Sequence, residues 1–135
     1  MRLVVDGSTI VAVCLADGRL GPLAGHALYA PALLPAEAAS SIREQRFRAE
    51  ISASVAADAI RHLQALAVAY SPPAGLTDAA YRLAEENGWA KTYDAEYVAL
   101  ARTLGCPLVT LDGRLQRGAA HLATILAPVD LPPAG

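Results

Sequence analysis

The sequence predicts an α/β domain in three layers, a short, mostly parallel central sheet flanked by helices. Two observations carry that expectation. Short apolar runs alternate with longer helical stretches along the chain, the order a parallel sheet needs because each strand is re-entered through a crossover. The composition is 54% hydrophobic, 18% charged and 5% aromatic, and its wealth of alanine and leucine favours much helix, brief strands and a sizeable core. At 135 residues one domain is expected over the whole chain, 1–135, needing neither disulfide nor structural metal for stability.

Leu3–Val5 reads as the first strand, and Asp6-Gly7-Ser8 turns it into a helix from about Thr9 to Leu15, with Ser8 as the cap. Asp17-Gly18 ends that helix. A short helical segment is expected around Pro22 to Leu28, followed by a brief extended piece, Tyr29-Ala30-Pro31. Pro35 suits the first turn of a helix that carries Glu37 and runs to about Gln45. A second helix is expected from about Ala49 to Leu66, with Ile51, Val55, Ala59, Leu63 and Leu66 near one face, so that the two form an antiparallel hairpin.

Val68 to Tyr70 is the next strand, closed by Ser71-Pro72-Pro73. A helix begins at Thr77 or Asp78 and stops at Asn87-Gly88, and another spans Tyr93 to Leu104 and stops at Gly105. Pro107 to Leu111 is a strand, Gly113 to Ala120 a short helix, and Leu122 to Leu126 the final strand. The proline-rich end, about 128–135, reads as a flexible tail.

The charge pattern narrows the chemistry. A formal charge of -2 from 11 basic and 13 acidic residues argues against a nonspecific nucleic-acid coat, though not against a nuclease whose acids are neutralised by divalent ions. Arg43, Arg46 and Arg48 cluster, as do Arg114 and Arg117; each group either holds phosphate or forms a solvated face. The three histidines lack the spacing of a zinc hydrolase, Ser8 lacks a nucleophile elbow, and no glycine-rich lysine loop surrounds the sole lysine, Lys91. Cys14 and Cys106 read as buried small hydrophobes in a reducing compartment. Met1-Arg2-Leu3-Val4-Val5-Asp6 breaks the apolar core of a secretory signal, and no apolar run is long enough to span a bilayer, so a cytoplasmic protein is expected.

Four carboxylates stand out. Asp6 and Asp112 end apolar strands, and parallel strands with right-handed connections bring their carboxyl ends to one rim. Glu37 and Asp94 fall in the first turns of helices able to face that rim. Each alone reads equally as a cap or a surface charge; together they offer the oxygen donors preferred by Mg2+ or Mn2+. Such a site suits hydrolysis of a phosphodiester. Ser8 and Thr110 are placed to hold the carboxylates by hydrogen bonding, or simply to cap a helix and favour a strand.

These segments resemble the PIN-domain ribonucleases, especially the VapC toxins of bacterial toxin-antitoxin pairs. Leu3-Val4-Val5-Asp6-Gly7-Ser8 resembles their first-strand motif, and Tyr29 to Glu37 resembles the segment that brings in the second acid. Tyr93-Asp94-Ala95-Glu96-Tyr97-Val98-Ala99-Leu100-Ala101, followed by Leu104 to Asp112, is the most specific match. The resemblance implies a PIN-like fold, a Mg2+- or Mn2+-dependent endoribonuclease, homodimerisation and inhibition by a small VapB-like antitoxin. It implies Asp6, Glu37, Asp94 and Asp112 as metal-binding and catalytic residues, with Thr110 as the hydroxyl near the last acid. Gln116 stands where many relatives have a further acid or amide. The alternatives are a PIN-like module that binds RNA or protein without cutting, and a nuclease acting on DNA.

Overall fold

The computed structural model describes residues 1–70 and 73–133. In chain order the elements are β1 (Arg2–Val5), α1 (Gly7–Leu15), a 3-10 turn (Gly21–Leu23), β2 (Ala27–Tyr29), α2 (Leu34–Phe47), α3 (Ala53–Ala65), β3 (Val68–Ala69), α4 (Leu76–Asn87), α5 (Tyr93–Leu104), β4 (Leu108–Val109), α6 (Gly113–Ala119) and β5 (Ile125–Leu126), followed by a second 3-10 turn (Pro128–Asp130). The five strands form one parallel sheet in the order β3-β2-β1-β4-β5. Helices α1, α2 and α3 pack on one another, while α4 packs on α5 and α5 on β1 and β4. This is the expected three-layer α/β fold.

β1 is the axis of the molecule. Leu3, Val4 and Val5 are fully buried, as expected for a central strand covered on both faces, whose apolar side chains cannot alternate with polar ones. Its register sets Val5 opposite Val109 and Val4 opposite Tyr29. Strand order reverses between β1 and β4, so the switch point, where crossovers leave in opposite directions and open a crevice, lies just past Val5 and Val109.

Several boundaries differ from the sequence reading. Ala27 and Leu28 are strand, not helix, because β2 pairs with Arg2, Leu3 and Val4 and buries Leu28. The first helix starts at Gly7, and its cap is Asp6, whose side chain accepts the Thr9 N–H; Ser8 lies inside the first turn. Between α2 and α3 the chain breaks at Ala49, with φ +58°, and α3 starts only after Ser52 accepts the Val55 N–H. Ile51 therefore precedes the helix, and Val55 points outward at 41% exposure while Ala59 and Leu63 reach the core. Leu76 begins α4, after Gly75 in the left-handed conformation.

Strands β3, β4 and β5 are each two residues long, shorter than the apolar runs that announced them. Residues 71 and 72 of the expected Ser71-Pro72-Pro73 turn lie outside the described residues, as do 134 and 135 of the expected tail. Pro128–Asp130 packs beside the Gly21–Leu23 turn. Cys14 is buried, Cys106 half-buried, and both are free thiols. Among the described residues no helix is long and apolar enough to cross a membrane.

Candidate active site

Asp6 follows β1 directly and is only 6% exposed. Burying a carboxylate is costly unless donors surround it, and here they do. One oxygen, Oδ1, accepts the Ser8 hydroxyl at 2.8 Å and the Thr9 N–H at 3.1 Å. The other, Oδ2, accepts the Thr110 hydroxyl.

The same two hydroxyls tie down the loop after β4. Having donated to Asp6, Ser8 Oγ accepts the Leu111 N–H at 3.1 Å, and Thr110 Oγ1 accepts the Asp112 N–H at 3.0 Å. Gln116 reaches back from α6, its Nε2 donating to the Thr110 carbonyl at 3.0 Å. Asp112 caps α6 by accepting the Arg114 N–H at 2.9 Å. Ser8 and Thr110 thus couple Asp6 to the segment that carries Asp112, across the switch point. Gln116 holds the backbone of that segment through its amide.

Glu37 enters from the first turn of α2. Its Oε1 accepts the hydroxyl of Tyr97, a side chain with no exposed surface, at 3.0 Å. Opposite stands Gly7, where a Cβ would lie 2.5 Å from that same Oε1. The glycine leaves room and the tyrosine steers. Asp94, in the first turn of α5, lines with Glu37 a cleft of about 590 Å3.

The carboxylates sense one another. Burial pushes the Glu37 carboxyl above its ordinary value; the Tyr97 hydrogen bond opposes this, and the charges of Asp94, Asp6 and Glu96 add to it. Burial likewise raises Asp94, helped by Asp112 and Asp6 and opposed by Arg114. Glu96 is raised by burial alone. Like charges close to one another disfavour ionisation, so Glu37 and Asp94 each feel the negative charge of Asp6.

They do not close into a finished coordination shell. Among the described residues, no three His, Cys, Asp or Glu side chains converge tightly enough to hold an ion. The donor chemistry nevertheless fits a small dication: hard oxygens, crowded negative charge and the space that Gly7 leaves beside Glu37.

Sequence reasoning missed Tyr97 and Gly7. Tyr97 lies three residues after Asp94, on the same helical face, a spacing that could have revealed it. Substitution should expose both roles. Tyr97→Phe removes the hydroxyl that fixes Glu37 and should lower any activity of the site about tenfold or more, with a stability loss near 1 kcal/mol visible in thermal melts. Gly7→Ala should displace Glu37 and reduce activity as strongly. Its melting temperature should fall about as little as that of Tyr97→Phe, because the obstructed atom is the end of a flexible side chain that can swing away at the cost of its bond to Tyr97.

A parallel α/β sheet with acids beside its switch point, covered by helices on both faces, defines the architectural class of the chain. The chain belongs to the PIN domain family, which matches residues 3–120. It is closely related to the VapC ribonucleases: it is 39% identical to ribonuclease VapC9 of Mycobacterium tuberculosis over 114 residues, covering 84% of this chain and 87% of that one. Among solved structures it is similar to PAE2754 from Pyrobaculum aerophilum, with TM-score 0.65, 25% identity and 87% of each chain covered. VapBC-1 from nontypeable Haemophilus influenzae shares the fold, with TM-score 0.61, 14% identity, and 96% of this chain and 100% of that one covered.

Proposed function

We propose that this protein is a cytoplasmic, divalent-cation-dependent endoribonuclease, the toxin of a VapBC-type toxin-antitoxin pair. The observation that carries the reading is the placement of Asp6 and Asp112 just past the carboxyl ends of the adjacent strands β1 and β4, beside the cleft that Glu37 and Asp94 line, at the switch point of a PIN fold. Kinship with a ribonuclease over 84% of the chain supports RNA as substrate.

In this reading the four acids are the catalytic and metal-binding residues. When bound among them, Mg2+ or Mn2+ supplies charge stabilisation at the phosphate and a more acidic water. Asp6, its carboxylate fixed by Ser8, Thr9 and Thr110, provides the rigid donor. Glu37 is aimed by Tyr97, and Asp112 is carried on the loop that Ser8 and Thr110 anchor. Asp94, on the open side of the cleft with its proton affinity raised, orients the attacking water and accepts its proton.

The toxin reading brings two partners. A small VapB-like antitoxin would cover the acidic cleft, and a second copy of the chain would form a homodimer. Val55 and Tyr81, at 41% and 59% exposure, leave apolar surface for such contacts. Light scattering should show a dimer at micromolar concentration, and a short DNA-binding antitoxin should be encoded beside this gene.

Among the described residues no three potential ligands group tightly, which leaves one second reading, a PIN module that binds RNA without cutting it. Incubating the protein with a broad transcript panel in Mg2+ or Mn2+ separates the two. New RNA ends that vanish with chelator support the ribonuclease, and matched DNA left intact supports RNA specificity. Tight binding without cation-dependent cleavage would overturn it.

A further inference from the structure

The cleft beside Asp94 has a second wall that the carboxylates leave unused. Trp89, Lys91, Tyr93 and Arg114 line the same space as Glu37 and Asp94. Trp89 is the chain's single tryptophan. Its place is set by the end of α4: Gly88 turns left-handed at φ +69°, and the Trp89 N–H donates to the Ala84 carbonyl at 2.9 Å, closing the helix. The indole is partly buried against the core, so it presents a fixed surface.

Tyr93 adds a second ring at 55% exposure. Lys91 is exposed and makes no ion pair among the described residues. Arg114 is also exposed; its closest carboxylate approach is a loose 3.8 Å to Asp112. Two aromatic residues and two cations lining one cleft with Glu37 and Asp94 fit a ligand with both a flat π face and negative charge. The cleft, about 590 Å3, lies within the roughly 300–1,000 Å3 typical of ligand sites.

We propose that this wall is a nucleotide subsite: an unpaired base stacks on Trp89 with Tyr93 beside it, while Lys91 and Arg114 hold phosphates flanking the one that meets the carboxylates. A base paired within a duplex has no free face for an aromatic ring, so the wall selects an unstacked nucleotide next to the scissile bond. Identifying the strand as RNA rests on the ribonuclease reading; the stacking wall itself does not.

The test uses the full chain in chelator, where nothing is cut, and a fluorescein-labelled single-stranded RNA of about ten nucleotides. Binding should quench Trp89 emission, while an abasic strand of equal length should bind with little quenching. Trp89→Ala should raise Kd about tenfold and Trp89→Phe should restore most of the affinity. Lys91→Ala and Arg114→Ala should each weaken binding and flatten the salt dependence, by about 0.7 in logarithmic slope for each phosphate no longer neutralised.

Absence of quenching, or a Kd indifferent to Trp89→Ala, would overturn the subsite. So would equal losses in Trp89→Ala and Trp89→Phe, because a stacking surface is rescued by another ring. Cation-dependent cleavage by the parent chain with Trp89 variants unaffected would remove the subsite and leave the ribonuclease standing. Quenching by a strand that the parent chain never cuts would do the reverse.

Discussion

Asp6→Asn and Asp94→Asn are each expected to reduce cation-dependent RNA cleavage by about a hundredfold or more. Losing a group that merely orients a metal ligand costs about 10–100-fold, and removing a proposed ligand should cost at least as much. The two variants should stay folded for different reasons. Asparagine is as good a helix cap as aspartate, so in Asp6→Asn it can still accept the Thr9 N–H through its amide oxygen. The Thr110 hydroxyl, which now donates to Asp6, can rotate to accept the new amide. Asp94→Asn removes a charge that its neighbours repel, so the cation-free protein should melt no lower than the parent. Initial cleavage rates paired with thermal melts check both. Retained cleavage, or loss of cleavage accompanied by unfolding, would count against the assigned roles.

The second large effect is on stability. Glu37 and Asp94 bind protons more tightly in the folded chain than their ordinary carboxyl values allow. Their contribution to stability is therefore fully present below the unfolded carboxyl pKa, about 4, and is lost as pH rises through the raised folded values. At neutral pH the cation-free protein carries the whole repulsion. Mg2+ or Mn2+ should relieve it, raising the melting temperature by roughly 10 °C at a free concentration about a hundred times Kd. That gain should shrink as pH falls through the carboxyl range, because protons compete for the same oxygens. Melts across pH, with and without Mn2+, check this, and Asp6→Asn should lose most of the gain. A gain unchanged by pH or by that substitution would place the ion elsewhere.

Legibility in the sequence followed the strength of the local signal. Leu3–Val5 and the run Pro107–Leu111 are largely apolar with β-branched residues, so their strand character and the acids beyond them could be read directly. Glu37 and Asp94 were legible because Pro35 and the Tyr93–Leu104 pattern mark helix starts. Ala27-Leu28-Tyr29 carries no β-branched residue, and its strand state comes from pairing with β1, which local sequence does not encode. Ser8 looked like a cap because serine usually is one there; Asp6 takes that role, freeing the Ser8 hydroxyl to bridge Asp6 and Leu111.

The rest of the site depends on tertiary placement. Tyr97 lies sixty residues from Glu37, and the importance of Gly7 appears only when α2 presses Glu37 against it. Asn87-Gly88 was visible as a helix end. That this end projects Trp89 and Lys91 into the acidic cleft required the packing of α4 on α5.

The most direct test of the central claim is a crystal of the full chain soaked in Mn2+ and measured at the manganese absorption edge. The account predicts an anomalous peak between the carboxylates of Asp6 and Asp94, with Glu37 and Asp112 drawn toward it or bridged to it through water. No peak in that cleft at saturating Mn2+, or a peak held by other residues, would contradict it.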